Sequence, residues 1–128
     1  MTAWKAIERT VAAILGGIRS WNTDHDVLVQ IEGGLAGASP TGDALMMLHR
    51  MGVIRLASVE IKHLKGPTVA QLEGFLAKNQ EKIDRDIPGA VNALVVKRKA
   101  GRGTETPYLF VMPIALTESS QLNDQGEE

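Results

Sequence analysis

The sequence predicts an α/β fold in which a mixed central β-sheet is flanked by helices. Three observations predict it. An amphipathic stripe opens the chain, with Trp4, Ile7, Val11, Ile14, Leu15 and Ile18 at spacings of three and four. Short apolar runs at 27–31, 53–62, 90–96 and 108–112 read as strands. A second helical segment lies between the runs ending at Lys62 and beginning at Ala90, which implies a right-handed crossover joining parallel strands. The chain has 128 residues, of which 44% are hydrophobic, enough for one domain with a packed core. That domain is expected over residues 1–116, with 117–128 an acidic tail that reads as disordered.

Taken in order, Thr2 is placed to cap a helix over Ala3–Arg19, weakened near its end by Gly16-Gly17. Asn22–Asp26 is polar and reads as a loop. Val27–Ile31 is a strand by its β-branched content. Gly33, Gly34, Gly37, Ser39, Pro40 and Gly42 make a loop with no Walker or dinucleotide pattern. Asp43 then opens the apolar run Ala44–Leu48. With a turn at His49–Gly52 and a strand over Val53–Lys62, this reads as an antiparallel hairpin, whose register sets Asp43 nearly opposite Glu60. Gly66-Pro67 starts the second helix, with Leu72, Phe75, Leu76 and Ile83 on its buried face. Ala90–Val96 is apolar throughout, as a strand covered on both faces would be. Lys97, Arg98, Lys99 and Arg102 follow it, and Tyr108–Met112 is the last strand.

Composition narrows the function. There is no Cys, so disulfides, thiol catalysis and Cys-bound zinc are excluded. A formal net charge of −1 gives no global attraction to a polyanion, so nucleic acid would have to meet a local basic patch. Aromatics are only 4%, too few for a row of base-stacking rings. The apolar stretch Val11–Ile18 lacks a small-residue cleavage site after it and is expected to be folded helix rather than a leader. No run is long enough to span a membrane, and a cytoplasmic location is expected.

The stretch Val59-Glu60-Ile61-Lys62-His63 carries the chemistry. Alternate strand residues share a face, so Glu60 and Lys62 stand side by side while Val59 and Ile61 point into a core. A carboxylate and an amine fixed together suit metal binding and water activation. An ion pair on an exposed strand has the same pattern, so its surroundings decide. Those are Glu8 on the first helix, Gly42-Asp43, and Gln71 on the second helix. The three histidines, His25, His49 and His63, form no spaced ligand set.

This order of residues resembles the PD-(D/E)xK nuclease superfamily, and within it the archaeal-type Holliday junction resolvases and related small phage nucleases. Lys5–Arg9 is similar to the family's first-helix signature, Val59–His63 to its core strand, and Ala93–Arg98 to its later strand ending in Lys. Gly42 stands where the family usually has Pro, and the Asp43-to-Glu60 spacing is longer than usual. The resemblance implies a restriction endonuclease-like αβββαβ core and a magnesium- or manganese-dependent endodeoxyribonuclease from a prokaryotic or phage-infected cell. Asp43 and Glu60, with the Ile61 carbonyl, would bind the cation, and Glu8 would hold a bound water or a second metal. Lys62 would orient the nucleophile, and Gln71 would position it. Lys97, Lys99 and Arg102, with His63 and Lys65, would contact phosphates. The implied partner is DNA, branched by preference, bound by a homodimer without membrane attachment. The alternatives are another nuclease of this fold (exonuclease, restriction-like or RNA-cutting) and a non-catalytic DNA-binding module.

Overall fold

The N-terminal apolar stripe forms helix α1 (Ala3–Leu15), which is shorter than its pattern suggests. Gly16 adopts a φ of 70°, a left-handed value that stops the helix. Gly17 then passes so close to the next strand that a Cβ would sit 2.6 Å from the Leu28 carbonyl oxygen. The expected last turn is instead strand β1 (Ile18–Arg19), which pairs with β2 (Val27–Glu32). The structure, a computed structural model, describes residues 3–20, 23–33 and 41–114. Thr2, most of the glycine-rich loop and the 117–128 tail lie outside those residues.

The hairpin expected over residues 43–62 does not form. Thr41 caps helix α2 (Gly42–Arg50), its hydroxyl accepting from the Ala44 N–H at 3.1 Å. The run Ala44–Leu48 contains no β-branched residue, and Ala, Leu and Met are strong helix formers. The helix buries Leu45 and Met46 and leaves Met47 55% exposed, a one-sided pattern that a helix of this amphipathic sequence makes. Strand β3 (Arg55–Leu64) follows, and its antiparallel partner is β2.

Helix α3 (Val69–Asp86) opens on a capping box between Thr68 and Gln71. Strands β4 (Val91–Arg98) and β5 (Tyr108–Val111) complete a five-stranded sheet in the order β1-β2-β3-β4-β5. β3 and β4 are parallel, as the intervening helix requires, and the other neighbours are antiparallel. The chain is thus a mixed α/β structure with a mixed sheet and three helices.

Strand alternation divides the interior. On one face, Ile7, Val11 and Ala12 of α1 pack on Val27, Val59, Ile61, Ala93 and Val95. On the other, Leu45 and Met46 of α2 and Ile83 of α3 pack on Leu28 and Leu56. A buried polar seam ties α3 to the sheet. The Asn79 amide donates to the Ser58 carbonyl at 3.1 Å and to Asn92 Oδ1 at 2.9 Å. Asn92 donates in turn to the Leu76 carbonyl at 2.8 Å. Asn79 is fully buried, so its loss strands both acceptors. Asn79→Ala is expected to reduce stability by about 1–3 kcal/mol in urea denaturation. An unchanged midpoint would show that the seam does not hold α3 in place.

Candidate functional site

The β2–β3 register builds the site. Val27 is paired with Val59, so Asp26, at the entrance to β2, comes to lie beside Glu60. The Ile61 N–H donates to Asp26 Oδ2 at 2.9 Å and fixes the carboxylate there. Burial pushes the Asp26 carboxyl up to about 6, and the neighbouring Glu60 and Glu8 charges add to the rise. These are mutually repelling carboxylates held in a half-buried position by the backbone.

Two cations answer Glu60. Lys82, reaching from α3, donates to Glu60 Oε1 at 3.1 Å and to the Asp24 carbonyl at 2.9 Å. Lys62 lies 3.5 Å from Glu60 Oε2, with its ammonium 4.5 Å from the centre of the Phe75 ring. On the α1 side, buried Glu8 accepts from Arg19 Nε at 3.3 Å. A polar cleft of about 230 Å³ opens beside it, lined by Lys5, Glu8, Arg19, Ser20, Thr23, His25 and Asp26.

His25 anchors the loop that presents Asp26. Its ring is fully buried, and burial lowers its pKa, so the imidazole is neutral at pH 7. Asp86 is held down to about 2, chiefly by hydrogen bonding from Arg85, and stays ionised. His25 Nε2–H therefore donates to Asp86 Oδ2 at 3.0 Å, which leaves Nδ1 to accept from the Ser58 hydroxyl at 2.8 Å. The Ser–His–Asp sequence of contacts has the order of a hydrolase triad. Ser58 is fully buried, however, and no substrate can reach it. The trio is a structural clamp.

The sequence-predicted residues separate into two groups. Glu8, Glu60 and Ile61 converge around Asp26, and Lys62 stands beside Glu60. Asp43 does not take the place expected for it. It sits exposed in the first turn of α2, and its expected position opposite Glu60 depended on a hairpin that is absent. Gln71 is occupied at the start of α3, where its side-chain oxygen accepts from the Thr68 N–H at 2.9 Å. The α3 residue that reaches the site is Lys82. Asp26 and Lys82 are the two that sequence reasoning missed. Asp26 was legible in one respect, since it immediately precedes a β-branched strand.

The expected phosphate-binding residues gather at the carboxyl ends of β3 and β4. His63 is paired with Lys97, and the Lys99 N–H donates to the Leu64 carbonyl at 2.7 Å. Lys65, Lys99 and Arg102 are exposed. Lys97 is engaged internally, donating to the Thr106 carbonyl at 2.7 Å beneath the Tyr108 ring. Partial burial and the nearby Lys99 and Lys97 charges lower the His63 pKa.

Among the described residues, no three or more of His, Asp and Glu form a group that could by themselves hold a metal ion. The donor set at Asp26 and Glu60 nonetheless suits a hard divalent cation, which needs few protein oxygens and relieves repulsion between carboxylates. No described helix is long and apolar enough to cross a membrane. Comparison with protein-family models, curated proteins and solved structures finds no match.

The raised Asp26 pKa sets a pH dependence. The unfolded carboxyl ionises near 3.8 and the folded one near 6. Stability from this group therefore falls as pH rises between those values, and the penalty persists above them. At pH 8, Asp26→Asn is expected to be more stable than the parent by about 1–3 kcal/mol. At pH 4 the gain should largely vanish. Urea denaturation at both pH values checks this, and no gain at pH 8 would contradict the burial of the Asp26 carboxylate beside Glu60.

Proposed function

We propose that the protein is a divalent-metal-dependent endonuclease that hydrolyses phosphodiester bonds in DNA. One observation carries the reading: Asp26, at the entrance to β2, lies beside Glu60 of β3, with Lys62 on the same strand as Glu60. Isolated repulsion of this kind costs stability, and a bound cation would relieve it. The resemblance of Glu60-Ile61-Lys62 to the PD-(D/E)xK nucleases supports the same conclusion, with Asp26 in the role that the sequence suggested for Asp43. Under this reading the sheet and its helices correspond to a restriction endonuclease-like core.

Asp26, Glu60 and the Ile61 carbonyl would hold magnesium or manganese. When bound, the cation supplies charge neutralisation for the phosphodiester and lowers the pKa of the attacking water. Lys62 is held beside Glu60, where its ammonium can steady the nucleophile or the charge that grows on phosphate. Lys82 pairs with Glu60; a cation held by that carboxylate would compete with the pair and would leave Lys82 able to face substrate. Glu8 tethers Arg19 at the rim of the cleft, a second cation for the DNA backbone. Lys65, Lys99 and Arg102 extend the positive surface at the strand ends, and contacts there position the duplex without reading sequence. Few aromatics leave DNA shape as the source of selectivity, which favours branched DNA cut by a two-fold dimer.

A second reading, a DNA-binding module without chemistry, is favoured by the double pairing of Glu60 with Lys62 and Lys82. Cleavage assays separate the two. With magnesium or manganese, the parent should nick four-way DNA in preference to linear duplex. Asp26→Asn, Glu60→Gln and Lys62→Ala should each reduce the rate at least about a hundredfold, whereas Asp43→Asn should leave it unchanged. Cleavage by none of these proteins under any divalent metal would favour the binding module.

The phosphate contacts have their own test. Replacing Lys65, Lys99 and Arg102 with Ala should weaken binding to all DNA sequences. It should also reduce the slope of log affinity against log salt by about 2–3. An unchanged slope would place the DNA elsewhere.

A further inference from the structure

The sheet has unequal edges. β1 is two residues long, whereas β5 is longer and has no partner on its outer side among the described residues. Natural edge strands of this kind are blunted by lysine or covered. Pro107–Ile114 carries no Lys, Arg, Asp or Glu. Its side chains are exposed on both sheet faces: Tyr108 36%, Leu109 54%, Phe110 51%, Met112 47% and Ile114 85%. On the α1 face, Ile14, 64% exposed, extends the patch beside Tyr108 and Phe110. On the α3 face, a groove of about 360 Å³ runs between Pro67, Leu72, Val96, Leu109 and Val111.

We infer that β5 is the contact surface for a second copy of this chain, paired antiparallel to its counterpart across a two-fold axis. Two observations select that occupant. The first is area. At about 200 Å² per full side chain, these six exposed residues present roughly 600–700 Å². In two copies that is at most roughly 1,300 Å², the upper limit of what a two-fold contact could remove, and it reaches the range of specific interfaces. The second is charge. A two-fold contact sets the same patch against itself, so any charge on it would face a like charge, and this strand has none. Pairing of β5 with β5 also closes the assembly, because the remaining edges are the two-residue β1 strands. The interface is argued from the sheet edge alone; its consequence for cutting rests on the nuclease reading. The two β3 strands would lie five strand spacings apart, roughly 24 Å. That distance suits paired cuts in two strands of one branched substrate.

Sedimentation of the full chain at micromolar concentration tests the inference. The parent should sediment at twice the 13.8 kDa chain mass. Leu109→Lys and Phe110→Lys, one on each sheet face, should each raise the dimer dissociation constant roughly tenfold or more with an unchanged circular dichroism spectrum. Met51→Lys, an exposed apolar residue at the end of α2, should leave it unaltered. Should the β5 variants fail to fold, hydrogen exchange on the parent decides. Amides of 108–112 should be better protected at high than at low protein concentration. A monomeric parent would overturn the inference, as would a dimer indifferent to both β5 substitutions. Protection of those amides that is independent of concentration would also overturn it, and would point to cover from the chain's own residues beyond 114.

Discussion

The hydrogen bond from the Ile61 N–H to Asp26 is the contact on which the site depends. It joins the entrance of β2 to the middle of β3 and holds one carboxylate where a second already stands. The rest of the fold makes this juxtaposition tolerable. Apolar packing of α1 beneath Val59 and Ile61 fixes the strand that carries Glu60. His25, clamped between Ser58 and Asp86, fixes the loop that carries Asp26. Lys82 and Lys62 balance Glu60, and Arg19 balances Glu8. A burial that raises one acid to about 6 is costly in a chain this small. Strain of this kind concentrates at functional sites.

The site is also asymmetric in its surroundings. α1 and the β1–β2 loop supply one wall, and α3 supplies Lys82 on the other. The exposed basic residues lie further along, where the parallel pair ends. The acids are therefore recessed and the exposed basic residues peripheral, a separation of charge that the net value of −1 does not reveal.

Much of the fold was legible in the sequence. Periodicity located α1, and β-branched content located β2. The helix between Pro67 and Pro88 implied the parallel β3–β4 pair. The error at Ala44–Leu48 has a definite cause: a short apolar run does not distinguish a buried strand from a one-sided helix. Its composition of Ala, Leu and Met, with Thr41 in the capping position, favoured the helix. That single misreading moved β3's partner from β2 to the wrong segment and set Asp43 opposite Glu60, where the structure has Asp26. Glu60 and Lys62 were legible because strand alternation is local. Lys82 was not legible and Asp26 only as the residue before a strand, because each reaches Glu60 through tertiary pairing across distant segments. Gln71 takes part in the capping box of α3, and a capping residue and a site residue at a helix start look alike in sequence.

The central claim is that Asp26 and Glu60 form one electrostatic unit able to hold a divalent cation. Carbon-detected NMR titration of the Asp26 carboxyl, with and without magnesium, tests it most directly. Without the cation, the carboxyl should titrate near 6. With magnesium its apparent pKa should fall well below that value, and Glu60→Gln should lower it in the metal-free protein and weaken the response. A carboxyl that titrates near 3.8 and ignores both magnesium and the substitution would contradict the account.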